Sequence, residues 1–322
     1  MRAIRCFEFG PPESLQLTDV PSAALGAKEV RIKIESCSVN FPDTLIIQGK
    51  YQFKPPLPFT PGSDVAGIIS EVGSEVKHYK VGDRVFGAVP TGGYAEEVVA
   101  HQRTVFPIPE IMSTKVASSF MMAYGTSYHA LKQRANIQPG ETLVILGASG
   151  GVGLAAVELG KIMGATVIAC ASTDDKLALC TASGADHTIN YTNEDLKARI
   201  KEITGGGADV VYDAVGGKHA EPSLRAMAPD GRYLVVGFVG GIPSIPLNLP
   251  LLKACQIVGV FWGAHVQREP QVHQQNMLEL IGYFQAGKIN PHISKEYSLE
   301  NAPQALKDMS NRLVKGKVVI IP

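Results

Sequence analysis

The most chemically pointed run in this chain of 322 residues is Gly147-Ala148-Ser149-Gly150-Gly151-Val152-Gly153. It follows Thr142–Gly147, an apolar segment that reads as a buried strand. It opens Gly151–Met163, which reads as a helix closed by Gly164. That context suits the pyrophosphate of a dinucleotide. Gly147 and Gly150 admit backbone angles closed to other residues and let the main chain approach an anion. Gly151 and Val152 present N–H groups at a helix start, where the dipole favours negative charge, and with Ser149 and Gly150 they form the expected phosphate-binding turn. Gly153 permits close packing of helix on sheet. The alternative is a plain tight connection between strand and helix.

The end of the following strand, Thr166–Ala171, bears on the type of nucleotide. An acid about 20 residues past the glycines would hold a ribose 2′-hydroxyl, but the chain reads Ala169-Cys170-Ala171-Ser172. Ser172 offers a donor to a 2′-phosphate, and Lys176, one helical turn on, offers a neutralising charge. A unit charge about 4 Å away contributes roughly 1 kcal/mol in water and roughly 4 at an effective dielectric of 20. An attracting lysine in place of a repelling acid therefore shifts preference by tens to thousands of fold, at ~1.4 kcal/mol per tenfold. Asp174 and Asp175 read as acids in the first turn of the next helix, favoured by its dipole. The expected cofactor is NADPH.

These groups need a scaffold. Up to about residue 110, short alternating runs (30–34, 65–72, 84–88 and 94–99) separated by Pro, Gly and Asp clusters predict an all-β region. From there strands and helices alternate: a helix over 115–134, then 142–147, 151–163, 166–171, 173–183, 195–204, 209–213 and 233–237. That is the pattern of a parallel sheet covered by helices, so the fold class is α/β. Helices over 272–286 and 301–311 and a last strand over 317–321 predict a return to the first domain. Lys and Arg total 30 and Asp and Glu total 30, which argues against a dedicated nucleic-acid binder. Five cysteines without a CxxC pair suit a reducing compartment. Glu8 interrupts any signal-like start. The longest uncharged stretch, 233–252, carries too many Pro and Gly residues to span a membrane. The chain reads as soluble and cytoplasmic.

Taken with these features, the chain resembles the medium-chain dehydrogenases/reductases, and within them the zinc-independent quinone oxidoreductase branch. The resemblance rests on Ser38-Val39-Asn40-Phe41-Pro42-Asp43, Pro61-Gly62-Ser63-Asp64-Val65-Ala66-Gly67, Val81-Gly82-Asp83-Arg84-Val85, Gly147–Gly153, Tyr212-Asp213-Ala214-Val215-Gly216-Gly217 and Lys315-Gly316-Lys317-Val318. It implies a GroES-like catalytic β domain over 1–120 and 288–322, and a Rossmann doubly wound parallel-sheet domain binding NADP(H) over 121–287. Zinc is not expected. Asn40 stands where the zinc enzymes of the superfamily have a cysteine ligand, Gly62-Ser63-Asp64 replaces their Gly-His-Glu, and no cysteine-rich lobe is present.

Carried over by motif, Tyr191 joins Ser172 and Lys176 near the 2′-phosphate, and Thr126 lies near the phosphates and nicotinamide. Phe238 and Phe261, at strand ends, are expected beside the nicotinamide. Asn311 and Lys317 flank the cofactor from the terminal motif. Asn40 and Tyr51 are the expected catalytic donors to an acceptor oxygen, with Asp43 and Asp64 orienting loops. The implied activity is NADPH-dependent hydride transfer to a quinone. One alternative is reduction of an enone or enoyl thioester, suggested by Gln48-Gly49-Lys50-Tyr51; another is NADPH binding without catalysis. The uncharged segment 240–252 and a strand over 256–262 are expected to form a homodimer interface.

Overall fold

The computed structural model describes all 322 residues. They divide into two compact units, 1–122 with 291–322, and 123–290. In the first, β1 (Arg2–Arg5) and β2 (Gln16–Asp19) form a small antiparallel pair. Next come β3 (Glu29–Ser38), α1 (Phe41–Ile46), β4 (Asp64–Val72), β5 (Arg84–Ala88), β6 (Glu97–His101), β7 (Val105–Pro107) and α2 (Thr114–Ser118). In β3, Val30, Ile32 and Ile34 are buried while Lys33 and Glu35 face solvent, as a half-buried strand requires. After a register shift between Ile34 and Ser36 both faces become buried.

The sequence predicts one helix over 115–134, and the structure breaks it. Ser118 and Ser119 both turn their hydroxyls back to the Lys115 carbonyl, at 3.0 Å each, and α2 stops there. A second helix, α3 (Met121–Tyr128), runs into a π-helical turn over His129–Ala135 that ends at Asn136 in the left-handed conformation. The break between the two units falls within α3.

The second unit continues with β8 (Thr142–Leu146), α4 (Gly151–Ile162), β9 (Thr166–Ala171), α5 (Asp174–Ala182), β10 (His187–Asn190), α6 (Leu196–Thr204) and β11 (Ala208–Asp213). It closes with α7 (Ala220–Arg225), β12 (Met227–Val235), α8 (Asn248–Lys253), β13 (Gln256–Gly259), α9 (Trp262–Arg268) and α10 (Pro270–Gln285). The six strands are all parallel, in the order β10-β9-β8-β11-β12-β13. Leu143 through Leu146 are fully buried, as expected for a strand covered by helices on both faces. From β8 the order runs outward through β9 on one side and β11 on the other, so the strand direction of winding switches there, where open α/β sheets bind ligands.

The chain then returns to the first unit with β14 (Ile293–Ser298), α11 (Ala302–Ser310) and β15 (Lys317–Ile321). β15 pairs antiparallel with β3, and the Val39 N–H donates to the Val318 carbonyl at 3.0 Å. The start of the last strand therefore meets the end of β3.

Candidate functional site

The glycine turn lies between β8 and α4. Gly147 has φ of 71°, in the left-handed region open to glycine. Gly150 caps α4 with no side chain bonded to the helix start, and the Leu154 N–H donates to the Gly150 carbonyl at 2.8 Å. The N–H groups of Gly151, Val152 and Gly153 precede it and lack a carbonyl within the helix, which makes this end a site for an anion. Gly153 packs so closely that a Cβ there would stand 2.3 Å from the Gly147 carbonyl oxygen. Ser149 is buried in the same turn. Ser127 on α3 donates to the Val152 carbonyl at 2.8 Å and lies 3.0 Å from the Tyr212 hydroxyl, so the half-buried Thr126 is carried by a helix tied to this turn.

At the end of β9, Lys176 Nζ donates to Ser172 Oγ at 3.4 Å. The neighbouring acids are engaged elsewhere: Asp174 accepts from the Asn190 amide at 2.7 Å, and Asp175 from the Thr173 hydroxyl. Tyr191 follows β10 and packs on His219, with ring centroids 4.3 Å apart. Both line an open groove of about 760 Å³. The residues present thus fit a dinucleotide carrying a 2′-phosphate, through unclaimed N–H groups at a helix start and a lysine one turn beyond the second strand.

Asp213, at the end of β11, was not among the expected site residues. Its Oδ1 accepts from the N–H groups of Val215 and Gly216 at 2.7 and 2.8 Å, and its Oδ2 accepts from the Tyr233 hydroxyl. It shapes the turn in which Gly216 and Gly217 take φ of 67° and 54°. An acid closing a strand ahead of two glycines is the sequence signal for it. Phe238 is partly exposed, with its ring close to Gly216. Phe261 corrects a detail of the sequence reading. The strand ends at Gly259, and Phe261 is the N-cap of α9 rather than a strand end.

In the first unit Asn40 precedes α1, and its N–H donates to the Asp43 carboxylate at 2.8 Å. The same carboxylate oxygen accepts from the Tyr94 hydroxyl at 2.9 Å. The Asn40 amide donates to Asp64 Oδ2 at 3.1 Å and accepts from Lys317 Nζ at 2.5 Å. Burial pushes the Asp43 and Asp64 carboxyls up to about 6, and it lowers Lys317 against the opposing pull of Asp64 and Asp43. Tyr51 packs partly buried against the same core, and burial followed by the Asp43 charge raises its hydroxyl above the usual tyrosine range. Lys317 is buried with its ammonium turned to Asn40 and to the Val39 carbonyl, at 3.2 Å, rather than outward. Asn311, its partner in the terminal motif, is exposed at the end of α11. These positions do not fit zinc. No three His, Cys, Asp or Glu side chains form a ligand set, and a buried ammonium already stands beside Asn40.

A parallel six-stranded sheet with a glycine turn at its switch point, in a chain whose other unit is built on a β-sheet, defines a two-part nucleotide-dependent dehydrogenase architecture. Residues 26–110 match the family described as alcohol dehydrogenase GroES-like domain, and residues 151–281 match zinc-binding dehydrogenase. The quinone oxidoreductase-like protein 2 homolog of Nematostella vectensis is 42% identical over 99% of this chain and 88% of its own length. The Escherichia coli quinone oxidoreductase solved with NADPH superposes with a TM-score of 0.93, at 30% identity and full coverage of both chains. The CurK enoyl reductase superposes at 0.90, with 27% identity, covering 99% of this chain and 98% of that one. The chain belongs to the medium-chain dehydrogenase/reductase superfamily, in its quinone oxidoreductase branch, with a GroES-like unit and a Rossmann unit.

Proposed function

We propose that the protein is an NADPH-dependent oxidoreductase that passes a hydride to a quinone without zinc. The observation that carries this reading is the Lys176–Ser172 pair at the end of β9, a cation and a donor where an acid for the 2′-hydroxyl is missing. The NADPH bound to the Escherichia coli relative supports the same cofactor. When bound, NADPH supplies the hydride from C4 of its nicotinamide.

In this reading the N–H groups of Ser149, Gly150, Gly151 and Val152 hold the pyrophosphate, and Ser172, Lys176 and Tyr191 hold the 2′-phosphate. Thr126, Phe238 and Phe261 orient the nicotinamide end, and Asn311 contributes from the terminal motif. The residues 123–290 serve as the NADP(H) domain, and 1–122 with 291–322 as the catalytic domain. Asn40 donates to the acceptor oxygen as negative charge develops on it. Tyr51 stays protonated at neutral pH, because burial and the Asp43 charge oppose its ionisation, so it donates a hydrogen bond or a proton rather than accepting one.

A second reading, reduction of an enone or enoyl thioester, is favoured by a protonated Tyr51 beside that cluster and by the likeness to an enoyl reductase. The protein further acts as a homodimer through the β13 edge, and its five unpaired cysteines favour a cytoplasmic setting. NADPH oxidation assayed with a panel of quinones and with crotonyl-CoA tests these readings. Turnover with quinones supports the first. Turnover with crotonyl-CoA alone, abolished by Tyr51→Phe, replaces it with the second. No turnover with either leaves a protein that binds NADPH without reducing these acceptors.

A further inference from the structure

The Asn40 amide is held at both ends by opposite charges. Its Oδ1 accepts from the Lys317 ammonium at 2.5 Å, and its Nδ2 donates to the Asp64 carboxylate at 3.1 Å. An asparagine amide turned by half a revolution would set its NH2 against the ammonium and its oxygen against the carboxylate, two repulsions in place of two bonds. Lys317 is itself fixed by a second bond, to the Val39 carbonyl at 3.2 Å. It arrives at this position because β15 pairs with the end of β3, although 277 residues separate it from Asn40. Space-filling alone does not explain a lysine here. Burying an ammonium is costly, and an apolar side chain of similar length would fill the same volume at lower cost. The arrangement uses one N–H of Nδ2 and leaves the second in a single defined direction.

We propose that Lys317 is a positioning residue: with Asp64 it locks the Asn40 amide in one orientation, so that the second Nδ2–H is held ready for the acceptor oxygen. The inference rests on the reading of Asn40 as the donor to that oxygen. It gives Lys317 a role distinct from direct cofactor binding, since its ammonium is already committed within the first unit.

The test compares wild type with Lys317→Met, Lys317→Arg, Asn40→Ala and the double variant Asn40→Ala/Lys317→Met. Lys317→Met should lower kcat by about tenfold or more while KM and Kd for NADPH stay within about twofold. Lys317→Arg should restore most of the loss, because it keeps a donor and a charge. In the Asn40→Ala background, Lys317→Met should add less than about twofold, as expected for two residues acting through one group. Losses that multiply, or an NADPH Kd weakened about tenfold at unchanged kcat, overturn the proposal.

A readout independent of turnover comes from the side-chain 15N–1H2 signals of Asn40 in protein labelled at asparagine, assigned by their loss in Asn40→Ala. They should move in Lys317→Met. Signals that stay in place reject the clamp, whatever the enzyme reduces. A wild type that turns over no acceptor rejects the proposed function, and the amide signals still decide the clamp. If Lys317→Met does not fold, Asp64→Asn carries the same comparison against Asn40→Ala, and multiplying losses again overturn it.

Discussion

Asn190 donates from its side-chain amide to Asp174 Oδ1 at 2.7 Å, and so turns the first acid of α5 toward the end of β10. Asp175 is likewise held by Thr173. Two carboxylates that would oppose a 2′-phosphate are thereby occupied within a few residues of Ser172 and Lys176. Lys176→Ala should raise KM for NADPH by about fivefold to a hundredfold and change KM for NADH little, since only the phosphate interaction is lost. Asn190→Ala should move KM for NADPH the same way by releasing Asp174. Steady-state kinetics with both cofactors measure this, and equal effects on NADPH and NADH would contradict it.

Two glycines in the same turn should behave differently. A Cβ at Gly153 meets backbone atoms, with the Gly147 oxygen at 2.3 Å and Ala148 Cα at 2.7 Å, so the helix must shift. Gly153→Ala should cost about 1–3 kcal/mol of stability in urea unfolding. At Gly150 the nearest atom is the Gly147 oxygen at 3.5 Å, and φ is −80°, open to any residue. Gly150→Ala should keep stability within about 1 kcal/mol and weaken NADPH binding, because its methyl projects where the phosphate approaches. Tight NADPH binding by Gly150→Ala would remove the pyrophosphate from this turn.

Acid should weaken the second unit through its histidines. His129 stacks on His265 with ring centroids 4.0 Å apart, and the single tryptophan, Trp262, stands edge-on to His273 at 5.6 Å. Burial, followed by repulsion from His265, pushes both His129 and His273 down to about 4. Arg134 and Arg268 add to the effect on His129. In the unfolded chain these rings titrate near 6.5, so their neutral native forms keep full stability above that pH. The stability is lost as pH falls from about 6.5 toward 4. Between pH 7 and 5 the loss is about 2–4 kcal/mol by linkage. Urea midpoints read from Trp262 fluorescence should fall over that range, and the double variant His129→Gln/His273→Gln should flatten the profile. A flat wild-type profile would count against neutral buried rings.

The β13 edge should join two copies. β13 is the last strand of its sheet, and the chain leading into it leaves Ile242, Leu247, Leu251 and Leu252 at least 71% exposed. An edge with unpaired backbone groups and an apolar surround favours pairing with a second chain. Sedimentation at micromolar concentration should give twice the 34.3 kDa chain mass. Leu251→Asp with Ile257→Lys should give monomers. A monomeric wild type would reject the interface.

The glycine turn and the Ser172–Lys176 pairing were legible as local geometry from residue order. Glycine spacing between an apolar strand and an apolar helix imposes local backbone geometry, and Ser172 and Lys176 lie one helical turn apart, so short-range chemistry was enough. Local reading failed where one element had to be judged by its neighbours. The segment 115–134 has helical spacing throughout, yet two serines bonding back to Lys115 end α2. Phe261 follows a β-like run, yet the chain turns into α9.

The neighbours of Asn40 depend on another scale of structure. Its identity and its place before α1 follow from the residues around it, and Asp43 lies only three positions on. Asp64 and Lys317 reach it because β4 and β15 both pair with β3. Hydrogen-bond registers between strands far apart in sequence are set by the packing of the whole sheet, not by local spacing. That packing turned the expected cofactor ligand Lys317 inward, where its charge meets the amide rather than the solvent.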